Sequence, residues 1–286
     1  RNLEIRKSEV SSSIAEQGKL TEEISSALDK AETLVEVEDI YRPFKPKRKT
    51  RASIAREKGL EVLADLIGRQ DDKLDLHNEA QKFINVENGL ETEEEVIQGA
   101  SDIIAENVSD DAELRKSIRK LYEKAAKIES RASDENAETV YQNYYEFCEP
   151  VSKIADHRIL ALDRGEKEGA LKVSVSIDEE FCFSIAERKY VINNTDSGNI
   201  VKAAVQDSCK RLIMPSVERE IRAELTARAA EGAIKVFSSN LRQLLLQPPI
   251  KNSVTLGLDP AYRTGCKIAV VDSIGKVLDT TVIYPT

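Results

Sequence analysis

The sequence predicts a mostly α-helical protein that changes to β-strands near its C-terminus. Three observations carry this expectation. Apolar residues recur at spacings of three and four through most of residues 1–246. Capping and breaking residues such as Thr21, Gly59, Thr92 and Pro150 separate those runs. After Gln247, Pro248 and Pro249, the pattern becomes short alternating runs bounded by turn residues. A chain of 286 residues, 41% apolar and 33% charged, has room for about two domains. The change in pattern divides it into a helical part, 1–250, and a strand part, 251–286.

Residues 3–15 begin inside a helical pattern with no cap ahead of them, so the chain is expected to start partway through an element. Thr21 reads as an N-cap, and Ile24, Leu28, Ala31 and Val35 form one helix stripe. Ala52 to Lys58 reads as a short helix closed by Gly59. Leu60, Leu63, Ala64 and Ile67 mark the next. This pair has the outline of a helix-turn-helix or of simple helical packing. Residues 76–86 and 92–107 are further helices, the second opened by a Thr92/Glu95 capping box. Asp110 and Glu113 have the same spacing before a helix to about Glu129.

Ala137, Val140, Tyr141, Tyr144, Tyr145 and Phe147 read as an aromatic-rich helical face ending before Pro150. Val151 to Asp163 is again helical. Leu171, Val173, Val175 and Ile177 alternate with polar residues as a half-buried strand, and the stretch to Ile185 fits strand or helix. A long helical region then runs from Gly198 to Leu246, interrupted near Met214-Pro215. Its later stripe is Val217, Ile221, Leu225, Ala229, Ala233 and Val236, with Glu218, Arg219, Glu220 and Arg222 facing outward. Beyond Pro249, strands are expected at Leu256–Leu258, at 267–272 and at 277–284. The chain is expected to stop inside that domain.

No apolar run approaches the roughly 18 residues of a spanning helix, and the first ten residues contain no signal-like apolar core. A cytoplasmic location without membrane contact is therefore expected. Cys148, Cys182, Cys209 and Cys266 are widely spaced, with no C-x-x-C pair, which points to free buried thiols. With two histidines, the chain has little material for histidine-based metal or triad chemistry. No phosphate-loop or nucleophile motif is present, and no cofactor or metal is expected.

One run breaks the acidic character of the chain, whose formal net charge is -9. Arg42, Lys45, Lys47, Arg48, Lys49 and Arg51 lie within ten residues, interleaved with Tyr41 and Phe44 and stiffened by Pro43 and Pro46. Such a run fits phosphates, whose condensed counterions it displaces, and fits equally an extended connector docked on acidic helices. Asp259, at the end of a buried-looking strand, is the one catalytic-looking carboxylate. It reads as a Mg²⁺ ligand or as a turn residue.

Four stretches, YRPFKPKRKTRASIAREKGLEVLADLI, EPVSKIADHRILALDRGEKEGALKVS, PSVEREIRAELTARAAEGAIKVFSSNLRQLLLQPP and LGLDPAYRTGCKIAVVD, resemble the Tex (YhgF) transcription accessory proteins. The resemblance covers essentially all 286 residues. It implies an elongated, mostly helical bacterial protein that binds nucleic acid and is associated with transcription. The implied order of parts is a helix-turn-helix-like region, a YqgF domain of ribonuclease H-like fold, helix-hairpin-helix elements and an S1 domain, the main nucleic-acid contact.

On that resemblance, this chain is a multi-helix N-terminal region with a long spine helix and one or two short strands near 171–185. It ends with the first strands of an incomplete ribonuclease H-like α/β domain. RNA or DNA is then bound mainly through domains outside this chain, with transcription machinery as a further partner. Asp259 matches the first acidic position of ribonuclease H-like nucleases. Ala261 stands where the family has glycine, so a positive φ there would be strained. The leading expectation is a non-enzymatic nucleic-acid-binding protein. Its rivals are a metal-dependent nuclease centred on Asp259 and a docking scaffold for transcription or translation machinery.

Overall fold

The computed structural model describes residues 2–46, 49–134, 137–248, 252–261 and 263–284. It divides into two compact units, Arg1–Ala230 and Glu231–Thr286. The first unit opens with α1 (Asn2–Glu16), α2 (Glu22–Lys30) and α3 (Leu34–Tyr41). Thr21 caps α2 as expected, but the stripe from Ile24 to Val35 is broken into two helices. Ala31 is extended, and Thr33 starts α3 by accepting from the Glu36 amide. These helices share a small apolar cluster, Val10, Ile14, Leu28, Ala31 and Val37, separate from the main core.

The main core is built around α7 (Glu93–Ser109), opened by the predicted Thr92/Glu95 capping box. Against it pack α4 (Arg51–Glu57), α5 (Glu61–Arg69), α6 (Leu76–Gln81) and α11 (Asp196–Asp207). Gly59, at φ +82, turns the chain between α4 and α5. Gln70 ends α5 in the left-handed region, at φ 50, a conformation unfavourable for a side chain with a Cβ. Hydrogen bonds offset that cost. The Gln70 amide donates to Tyr190 O at 2.7 Å, while its oxygens accept from Ile192 N and from Asn193 Nδ2.

Helix α8 (Ala112–Ala125) is capped by Asp111, one residue later than expected, through the amides of Glu113 and Leu114. It ends early because residues 127–132 are a strand. β1 (Lys127–Ala132), β2 (Glu146–Pro150) and β3 (Leu171–Ser176) form an antiparallel sheet in the order β2-β1-β3. The expected aromatic helix is therefore replaced by a short 3₁₀ turn, Gln142–Tyr144, and β2. Tyr141 is buried with its hydroxyl on Glu168, and Tyr144 packs edge-to-face on Phe147.

Helix α9 (Asp156–Lys167) lies against β3. The alternation at 171–176 is the half-buried strand predicted, whereas Glu179–Tyr190 is helical, α10. Cys182 and Cys209 are buried free thiols, whose pKa burial pushes up to about 12 in each case, so they stay protonated and inert. Cys148, against expectation, is exposed on the sheet.

The interruption of the long helix is a π-helical segment, Ser208–Ile213, followed by α12 (Met214–Leu245). Pro215 lacks an amide hydrogen, and in a regular helix its ring would meet the carbonyl four residues back. The widened turn relieves that contact. Val217, Ile221, Leu225 and Ala229 are buried, but Ala233 and Val236 are exposed. Glu218, Glu220 and Arg222 do not face solvent as expected. Arg222 donates to Glu166 and to Val173 O, and Glu218 accepts from Val175 N at 2.9 Å. These side chains close the free edge of β3.

In the second unit, β4 (Thr255–Asp259), β5 (Cys266–Val271) and β6 (Val277–Ile283) form an antiparallel meander, as the sequence predicts. Leu256 and Leu258 of β4 are exposed rather than buried. Ala261 is not among the described residues with positive φ, so the strain expected at that position is absent.

Two glycines give opposite expectations. A Cβ on Gly198 would lie 2.2 Å from the Asn193 carbonyl oxygen, while one on exposed, helical Gly68 meets nothing within 4 Å. Denaturant unfolding should show Gly198→Ala destabilised by roughly 1–3 kcal/mol. Gly68→Ala should be stabilised by about 0.5–1 kcal/mol.

Candidate nucleic-acid interface

The basic run begins as a continuation of α3. Arg42–Phe44 form a 3₁₀ turn, and Arg42 has φ -50 and ψ -44, so the segment is not extended there. Pro43 is accommodated because it sits in the first turn, where no amide hydrogen is needed. Tyr41 and Phe44 pack on the cluster of α1–α3. The Tyr41 hydroxyl meets Ser13 Oγ at 3.0 Å, and Gln17 donates to Phe44 O. Both aromatics are thus committed to the fold rather than presented for base stacking.

The cations divide by partner. Arg42 is half-buried with Nε 4.0 Å from Asp39, and Lys45 pairs with Glu38 at 3.6 Å. Lys49 and Arg51 are exposed, and among the described residues no carboxylate lies within ion-pair distance of either. Lys47 and Arg48 lie outside the described residues. The far end of the run is fixed to the main core. Thr50 and Ser53 form a capping box for α4, and the Thr50 hydroxyl donates to Glu106 at 3.0 Å.

Behind Arg42 lies a buried charge junction that sequence reasoning missed. Arg115 is fully buried; its Nε donates to Asp39 Oδ1 at 2.6 Å, and its Nη2 donates to Glu220 at 2.7 Å and Ser216 at 3.0 Å. Arg119 reaches Asp39 Oδ2 at 2.6 Å and Glu220 Oε2 at 2.8 Å. Three arginines from α8 and the end of α3 thereby face two carboxylates, one on α3 and one on α12. A signal was present in the sequence: Arg115 and Arg119, four apart, adjoin the α8 apolar stripe Leu114, Ile118 and Tyr122.

The electrostatics follow from that imbalance. Burial, reinforced by repulsion from Arg115, lowers the Arg42 pKa despite Asp39. Burial pushes Glu220 up, but the hydrogen bond from Arg119 and the charges of Arg115 and Arg119 together hold it below the usual carboxylate range.

Asp259 is exposed at the end of β4, opposite Lys267. The register puts Asp272 and Asp279 toward the other end of that sheet, and Asp272 accepts from Ile274 and Lys276 within its own turn. Among the described residues, no group of three or more His, Cys, Asp or Glu is placed to hold a metal ion. Among the described residues, no helix is long and apolar enough to cross a membrane.

Residues 71–237, more than half of the chain, match the Tex central region-like family, and residues 253–286 match the Tex protein YqgF-like domain. The chain belongs to the Tex family. It is 48% identical over 99% of its length to YdcI of Bacillus subtilis, covering 40% of that protein. It is 36% identical over 99% of its length to the transcriptional accessory protein Tex of Neisseria gonorrhoeae, covering 38% of it. A human protein named S1 RNA-binding domain-containing protein 1 is 31% identical over 95% of this chain, which covers 28% of that protein. The chain thus spans about two fifths or less of the length of these Tex-like relatives.

The Glu220 shift has a testable sign. An ionised carboxylate whose folded pKa is depressed contributes fully above its ordinary 4.5 and loses that contribution as pH falls through the lower folded value. Glu220→Gln should cost roughly 2 kcal/mol of stability near neutral pH. The difference from the parent should shrink under acid; an undiminished difference well below 4.5 would contradict this.

Proposed function

We propose that this chain is the helical scaffold of a Tex-like transcription accessory protein that binds RNA or DNA without acting on it chemically, in the cytoplasm. On this reading its connector cations add a local phosphate contact to those made by parts of the protein outside residues 1–286. Family membership supports the nucleic-acid role, as do the names of the N. gonorrhoeae and human relatives. The observation that carries the local contact is the exposure of Lys49 and Arg51 just ahead of and within the first turn of α4.

Held against the capping box, these two cations stand on a fixed backbone while their side chains remain in solvent. Such cations bind a phosphate backbone by releasing its counterions, without reading sequence. Arg42 and Lys45, already paired with Asp39 and Glu38, contribute to that contact only by giving up those partners. The 1–250 and 251–286 division fits the same reading, with the strand part serving as the entry to the YqgF-like domain.

In the full-length protein, Lys49→Glu with Arg51→Glu should weaken RNA and DNA binding and reduce the log–log salt slope by about two. Fluorescence anisotropy across a salt series measures both. Unchanged affinity and slope, with unchanged unfolding, would leave the run as a structural connector.

A further inference from the structure

The helices α1–α3 are joined to the rest of the first unit in an unusual way for packed helices. Their apolar cluster does not merge with the main core, and the contact passes from α3 to α8. That contact is largely charged. Asp39 spans Arg115 and Arg119, and Glu36 pairs with Lys116 at 2.8 Å. Taking such groups out of water offsets much of their mutual attraction, so a charged seam fixes position with less net stabilisation than an apolar one.

The seam also leaves buried donors without acceptors. Among the described residues, Arg42, Arg115 and Arg119 pair with Asp39 and Glu220, the charge of Asp110 also acts on Arg42, and two buried donors, Arg115 Nη1 and Arg42 Nε, have no hydrogen-bond partner. The paired oxygens of Asp39 bridge neighbouring guanidinium groups as the oxygens of a phosphate do. Arg42 lies at the root of the connector that leads from α3 to α4.

We propose that α1–α3 is a docked cover, latched by Asp39, over a phosphate-binding surface formed by Arg115 and Arg119 of α8. A nucleic-acid phosphate displaces the Asp39 carboxylate from Arg115 and Arg119, and the three helices lift away from α8. In the docked state Asp39 competes with the ligand and is autoinhibitory. This inference rests on the nucleic-acid-binding reading above and adds to the connector cations a second, covered phosphate site.

The test uses the full-length protein carrying Cys148→Ser. Glu36→Cys with Lys116→Cys allows a short bis-maleimide to lock α3 to α8. Asp39→Asn is expected to bind a fluorescent single-stranded oligonucleotide about five-fold more tightly, with a steeper salt dependence. Without oligonucleotide it should be cut faster by trypsin in the connector. Locking should reverse both effects in Asp39→Asn and weaken binding by the parent. A locked parent that binds as tightly as the unlocked one overturns the proposal, whether or not Asp39→Asn folds. Equal affinity and equal cleavage for Asp39→Asn and the parent also overturn it. Binding that responds to the lock but not to reversal of Lys49 and Arg51 would sink the connector reading alone.

Discussion

A guanidinium taken wholly out of water must find carboxylates, and Arg115 is such a group. It finds them on two other helices, Asp39 of α3 and Glu220 of α12, while Arg119 one turn along α8 uses the same pair. Three helices distant in sequence are thereby set in register by one charge requirement. Apolar packing fills the core on either side, but it does not cross from the α1–α3 cluster into the α7-centred core. The charged junction settles where the N-terminal helices sit.

The connector inherits its conformation from this arrangement. It leaves α3 beside Asp39, with Arg42 half-buried, and arrives at α4 beside Glu106 through Thr50. Its two ends are therefore tied to different cores. That geometry joins the two readings of the basic run, since its first cations dock on acids while Lys49 and Arg51 stand in solvent. In a chain of net charge -9, any contact with phosphate has to be local.

Much of the fold was legible because the local signals were strong. Thr21, the Thr92/Glu95 box, Gly59 and the alternation from Leu171 all act where the sequence puts them. β1 and β2 were illegible because KIESRA and EFCEP carry weak strand composition. Ser130 occupies a buried position there by donating to Tyr144 O, a partner that only the fold supplies. The outward-facing assignment of Glu218, Glu220 and Arg222 failed for a related reason: their partners lie on α8, α9 and β3, more than forty positions away. At the candidate site the cations were evident from composition, but their division into docked and solvent-facing groups depends on Asp39 and Glu38 of α3 lying within reach of Arg42 and Lys45.

A shared charge, rather than an apolar seam, sets α3 on α8. A double-mutant cycle on Asp39→Asn and Arg115→Met, read by denaturant unfolding, tests it most directly. Strong non-additivity of roughly 1–3 kcal/mol is expected, because either substitution alone leaves a buried charge short of its partner. Effects that add to within about 0.5 kcal/mol would contradict it.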